Sequence, residues 1–155
     1  MGKIKNLPSL KKEVKRLRRL KKIIVFTNGC FDIIHPGHIT LLRQAKRKGD
    51  ILIVGLNSDS SVRRIKGRKR PIIDETSRAK VIAELEVVDY VIIFSEETPY
   101  KLITQIKPDY LVKGGDWDKK NIVGRGIVKK VYRVKLEGRH STTNIIKKIT
   151  RSNRP

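Results

Sequence analysis

At 155 residues the chain is sized for one domain, long enough for a core that removes about two thirds of the unfolded surface from water. Lys and Arg number 37 against 15 Asp and Glu, a formal net charge of +22, and such a field attracts nucleic acid, anionic lipid heads and nucleotides without choosing among them. No stretch approaches about 18 uninterrupted apolar residues and the N-terminus lacks an apolar signal core, so no membrane span is expected and the chain reads as cytoplasmic.

Residues 9–22 form the first predicted element, a basic amphipathic helix in which Pro8 precedes, Ser9 caps, and Leu10, Val14 and Leu17 share one face. It is expected to pack at a sheet edge, as a segment (1–22) ahead of a domain at 23–150 and a tail at 151–155. Every segment that carries chemistry lies beyond Lys22, so residues 1–8 are expected to be dispensable for turnover. Apolar strands at 23–27, 51–56, 90–94, 110–113 and 131–136 then alternate with helical patterns at 37–48, 59–65, 75–87, 98–106 and 141–150. Gly49 stands where the first of these helices should stop, Asp74 is placed to cap the third, and Pro99 falls in the first turn of the fourth. Strands that are apolar on both faces and joined by helices imply an α/β fold, a doubly wound five-stranded parallel sheet with right-handed crossovers. Ligands of such sheets bind at the carboxyl ends of the strands, near the switch in strand order.

The segment after the first strand carries the densest chemistry. Thr27, Asn28, Gly29 and Cys30 lead through Phe31 and Asp32 to His35, Pro36, Gly37 and His38, where a helix begins. A helix N-terminus presents unpaired N–H groups and the positive end of the helix dipole to an anion. Two imidazoles three apart in sequence can flank one phosphoryl group bound there. A lone histidine in such a place is more often a cap or a surface residue; the combination is the signal. Cys30 is the only cysteine, which leaves no internal disulfide and no thiolate metal cluster.

Other strand ends add weaker signals. Asn57, Ser58 and Asp59 follow the second strand and lead into a basic loop with Lys66, Arg68, Lys69 and Arg70; such a loop is commonly a solvated face, but this one lies one connection from the histidines. Arg78 either forks onto a phosphate or pairs with a nearby acid. Lys113, Gly114, Gly115, Asp116 and Trp117 close the fourth strand, where the glycines permit close approach to the backbone, Asp116 can accept from hydroxyls and Trp117 can cover a ring, unless both simply pack a loop. Ser141 is a natural N-cap for the last helix, and with Thr142 and Thr143 it can also hold phosphates. The basic residues are spread along the chain and aromatics make up only 5%, so most of the charge is read as solvated surface with weak, non-specific polyanion binding.

Gly29, Phe31, Asp32, His35, Gly37 and His38 resemble the GxFDxxHxGH signature of the cytidylyltransferase-like nucleotidyltransferases. The resemblance covers nearly the whole chain, and Asn57-Ser58-Asp59, Val112-Lys113-Gly114-Gly115-Asp116 and Ser141-Thr142-Thr143 are similar to the branch that adenylylates D-glycero-β-D-manno-heptose 1-phosphate. Two departures stand out: residues 124–136 are several positions shorter than the pattern, and Arg139 and His140 lengthen the turn before Ser141.

The resemblance implies a Rossmann-like fold of the HxGH type and a reaction of ATP with a sugar 1-phosphate, giving ADP-heptose and pyrophosphate. It further implies that His35, His38 and Lys66 serve catalysis and that Cys30, Phe31, Gly37, Lys113, Gly114, Asp116, Ser141, Thr142 and Thr143 join the two histidines in holding the nucleotide. The sugar phosphate is expected against Asn28, Asp32, Asn57, Asp59 and Arg78. Cys30 corresponds to a position of backbone contact, not a nucleophile. Magnesium is expected to arrive with ATP, no metal being held by side chains alone. A separate upstream sugar kinase is expected, since no kinase half is attached, while a homodimer is one possibility and the oligomeric state is left open. Alternatives are a glycerol-3-phosphate cytidylyltransferase, an FAD synthase-like enzyme and, from another class, a basic nucleic-acid-binding protein on a nucleotide-binding fold.

Overall fold

The computed structural model describes residues 2–115, 121–135 and 141–152. Five parallel strands, β1 (Ile24–Gly29), β2 (Ile51–Asn57), β3 (Tyr90–Phe94), β4 (Tyr110–Gly114) and β5 (Lys130–Val134), lie in the order β3-β2-β1-β4-β5. They alternate with α1 (Leu7–Arg19), α2 (Pro36–Lys46), α3 (Asp59–Lys66), α4 (Glu75–Glu84), α5 (Tyr100–Ile106) and α6 (Thr142–Ser152). The sheet grows from β1 toward β3, then restarts on the other side of β1 with β4. That reversal places a crevice at the carboxyl ends of β1 and β4.

Alternating side chains of β1 feed two apolar layers, as the two-residue period of a strand requires. Val25 packs in the layer that contains Leu42 and Ala45 of α2 and Ala79 and Ile82 of α4. Ile24 and Phe26 pack in the opposite layer with Leu10, Val14 and Leu17 of α1 and Leu102, Ile103 and Ile106 of α5. Burying each of these large side chains is worth about 1.5–3 kcal/mol relative to exposure. Gly55 is demanded by this packing, since a Cβ there would stand 2.6 Å from Phe26 Cζ.

The elements differ from expectation mainly at their ends. α1 begins at Leu7, because the Asn6 side chain accepts the Ser9 N–H at 3.0 Å and puts Ser9 inside the first turn. Ahead of it, the Lys5 N–H donates to the Val91 carbonyl at 2.9 Å and the Val91 N–H to the Lys3 carbonyl at 3.0 Å, so the N-terminus lengthens the sheet beside β3. α4 stops at Glu84, where Leu85 turns to extended backbone, and Pro99 sits at the N-cap of α5 instead of within its first turn. Asp74 caps α4, accepting the Ser77 N–H at 2.9 Å. Gly49 lies past the end of α2 but for a different reason than termination: a Cβ would stand 2.7 Å from Val25 Cγ2 and 2.9 Å from the Ile23 carbonyl. Among the described residues, no helix is long and apolar enough to cross a membrane.

Candidate active site

β1 delivers Thr27, Asn28 and Gly29 to the crevice, and the chain then turns through Cys30 and Phe31 into α2. Phe31 takes a positive φ of 45° while almost wholly buried, a left-handed conformation that costs a non-glycine residue free energy and is held by the surrounding packing. The turn puts the Phe31 ring 5.1 Å from the His38 ring. His35 is the N-cap residue of α2 by backbone conformation but makes no side-chain cap bond. Pro36 occupies the first turn, and the His38 N–H donates to the His35 carbonyl at 2.9 Å.

The two imidazoles stack with centroids 3.8 Å apart. Burial, reinforced by the neighbouring His35, pushes the His38 pKa down to about 4, so this ring is neutral near pH 7. Among the described residues, His38 Nδ1 and Thr27 Oγ1 are buried with no hydrogen-bond partner, an arrangement native proteins rarely keep without a use for it.

Further elements converge on this turn. The Thr142 hydroxyl, at the start of α6, donates to the Ile33 carbonyl at 3.5 Å, while Ser141 caps that helix by accepting the Asn144 N–H at 3.1 Å. Ser141 and Thr142 are half-buried and Thr143 is exposed. From the end of β4, the half-buried Lys113 has its pKa lowered to about 8 by burial, partly opposed by the Cys30 thiol. Burial raises the Cys30 pKa against the charges of Lys66, Arg78 and Arg70, which keeps the thiol protonated at neutral pH. A protonated thiol is a poor nucleophile. Lys66 is the exposed last residue of α3, close enough for its charge to act on this thiol.

The polar residues expected around the sugar are mostly tied to one another. Arg78 is fully buried, and its guanidinium donates to the carbonyls of Ile73 at 2.8 Å, Cys30 at 2.6 Å and Asn57 at 2.8 Å and to the Asp59 carboxylate at 2.7 Å. Of the two readings of this arginine, pairing with an acid is the one seen. The Asn57 side chain donates to Ser61 Oγ at 2.9 Å, and the Asp59 N–H donates to Glu75 at 2.7 Å. Asp32 is buried under Arg70, Ile72 and Ile73. Asn28 stays half-buried at the end of β1, opposite Gly55. Gly114 closes β4, and Asp116 and Trp117 lie outside the described residues, as do Arg139 and His140.

Sequence reasoning missed the partners that organise this set. Arg70 meets Asp32 across 38 positions, and Ser61 and Glu75 fix Asn57 and Asp59. A basic loop was the only visible signal for the first, and nothing in the sequence distinguished Ser61 or Glu75 from ordinary helix residues.

The family model described as cytidylyltransferase-like matches residues 26–153. The chain is 56% identical over 142 residues to the bifunctional protein HldE of Wolinella succinogenes, covering 91% of the chain and 30% of that relative. It is 53% identical over 146 residues to the bifunctional protein HldE of Aliarcobacter butzleri, covering 94% and 31% respectively. The chain thus spans about a third of the length of these curated relatives. The crystal structure of the lipopolysaccharide core biosynthesis protein from Thermoplasma volcanium is similar at TM-score 0.65 and 36% identity, over 76% of this chain and 99% of that one. Pantoate-beta-alanine ligase of Francisella tularensis, at TM-score 0.71 and 17% identity over 94% of this chain and 73% of that one, shares the fold. The Rossmann-like sheet, the histidine turn and these matches agree: the chain belongs to the cytidylyltransferase-like family of nucleotidyltransferases.

Proposed function

We propose that this chain transfers AMP from ATP to D-glycero-β-D-manno-heptose 1-phosphate. The observation that carries the reading is the stacked histidine pair at the start of α2, with the N-terminus of α6 beside it. Two helix N-termini and the neutral His38 imidazole suit a polyphosphate, which they can meet with donors already oriented. The heptose is supported by the resemblance of the 57–59, 112–116 and 141–143 segments, and by relatives named as the bifunctional protein HldE and as a lipopolysaccharide core biosynthesis protein.

In the reaction, an oxygen of the sugar 1-phosphate attacks the α-phosphorus of ATP, the bond from that phosphorus to the bridging oxygen breaks, and pyrophosphate leaves. A phosphate monoester is largely dianionic at pH 7, so the nucleophile needs no general base. The task left to the protein is to bring two anions together and hold charge as it moves onto the leaving group. His35 and His38 are assigned to the α-phosphoryl group and the bridging oxygen. His38 Nδ1 and Thr27 Oγ1 then gain partners that the described protein does not supply. Lys66 and Lys113 offset repulsion between the substrates, and Thr142 with the α6 N-terminus holds the departing phosphates.

The donor set does not suit a metal held by side chains: among the described residues no group of three or more His, Cys, Asp or Glu is placed to hold one, and Asp32 and Asp59 are engaged by arginines. Magnesium is proposed to come with ATP, as the MgATP complex, where it would neutralise phosphate charge. Pyrophosphate release from ATP in the presence of the heptose phosphate tests the proposal. Its absence with properly folded enzyme would remove it.

A further inference from the structure

Asp32 is one of the most completely enclosed charges in the molecule, its side chain 1% exposed, yet every bond it makes is to one surface segment. Oδ2 accepts from Arg70 Nε at 2.6 Å, and the two oxygens share the N–H groups of Ile72 and Ile73 at 2.9–3.0 Å. These donors lower its pKa despite burial. The far end of the same segment is pinned again, because Arg78 bonds both the Ile73 carbonyl and the Cys30 carbonyl. Between α3 and these pins, residues 67–69 are exposed, Gly67 has a φ of +95°, and the Arg70 N–H returns to the Gly67 carbonyl at 3.1 Å. The crest is thus a short cationic loop with Lys66, Arg68 and Lys69 and one deep anchor. That anchor stands three residues before His35.

We propose that Asp32 and Arg70 are positioning residues that latch the basic loop at 66–71 over the histidine turn, so that its lysines already face the triphosphate before ATP arrives. This rests on the nucleotidyl-transfer reading for the identity of the ligand, though not for the latch itself. A buried carboxylate with three donors holds its partner far better than an exposed pair does. With the latch broken, ATP must order the loop as it binds, so its apparent affinity falls by the fraction of molecules that have the loop in place. Once ATP is bound, the cations stand where they stood in the wild type.

The test uses Arg70→Gln with Arg70→Lys as the conservative control, read in two ways. Limited trypsin digestion follows cleavage after Lys66, Arg68 and Lys69; position 70 precedes Pro71 and is no trypsin site in any of the proteins. The Gln variant should be cut in this loop at least about tenfold faster than wild type, the scale of one lost charge-assisted hydrogen bond, with Lys restoring much of the resistance. Calorimetric Kd for MgATP should rise about tenfold in the Gln variant while kcat at saturating ATP stays within about threefold. Wild-type cleavage in the Gln variant, or an unchanged Kd beside a collapsed kcat, overturns the latch. A wild-type protein that binds no ATP removes the proposed function instead, and the cleavage comparison still decides whether the latch exists.

Discussion

Burial keeps His38 uncharged near neutrality, so in the proposed mechanism the ring serves as a neutral hydrogen-bond donor to ATP. His38→Ala should therefore lower kcat by about a hundredfold or more, the cost of losing a preorganised transition-state partner, and His35→Ala should act similarly. Stopped or continuous pyrophosphate assays on folded variants check this, and near wild-type turnover in both would remove the assignment. The same ring predicts a pH dependence of stability. The unfolded chain takes up its proton at about 6.5, whereas folded His38 does so only at about 4, so stability is full above that window and is lost as pH falls through it. Urea midpoints between pH 7.5 and 4.5 should fall less steeply in His38→Asn than in wild type. Asp32, with a depressed pKa, contributes stability that begins to be lost as pH falls through the ordinary carboxylate range and is gone below its lowered folded value.

At the scale of elements, the N-terminal segment is the clearest departure from what the sequence suggested. Residues 3–5 pair with Val91, Lys3 Nζ donates to the Leu85 carbonyl, Asn6 caps α1 and Leu7 packs on the apolar layer beneath it, so deleting residues 1–8 should cost at least about 2–3 kcal/mol. The melting temperature should drop by about 5–10 °C, while KM and kcat at low temperature stay unchanged. A loss of turnover that tracks no loss of folding would tie this segment to the site. The stretch at 2–6 holds a single apolar residue, Ile4, too few to reveal a pairing strand, whereas the apolar runs of β1 to β4 reveal theirs within a residue or two. The site divides in the same way. His35, Gly37 and His38 were legible because their chemistry is local, written into one turn before one helix. The partners of Asp32, Asp59 and Arg78 were not, because those bonds join segments 16 to 38 residues apart and depend on how α3 and α4 sit along the sheet; Ser61, only four residues from Asn57, carries no local signal that sets it apart from an ordinary helix residue.

For the whole molecule, the net charge of +22 is carried on both helical layers. α1 alone exposes Lys11, Lys12, Lys15, Arg16 and Arg19, and its apolar face is already buried against the sheet. Such a surface should bind DNA or RNA without sequence preference, and log K should fall steeply with log salt. Retention on heparin or a salt series of filter binding measures it, and tight, sequence-selective binding at physiological salt would argue for a nucleic-acid-binding role. The central claim is chemical, and one matrix of initial rates tests it most directly: ATP and CTP, each offered with D-glycero-β-D-manno-heptose 1-phosphate, glycerol 3-phosphate and riboflavin phosphate, with pyrophosphate as the readout. A site built to pair with particular hydroxyls discriminates strongly against ligands that lack them. ATP with the heptose phosphate should exceed every other pair by at least about a hundredfold in kcat/KM; a CTP preference, or turnover only with glycerol 3-phosphate or the flavin, would contradict the heptose assignment, and no pyrophosphate from any pair would contradict nucleotidyl transfer itself.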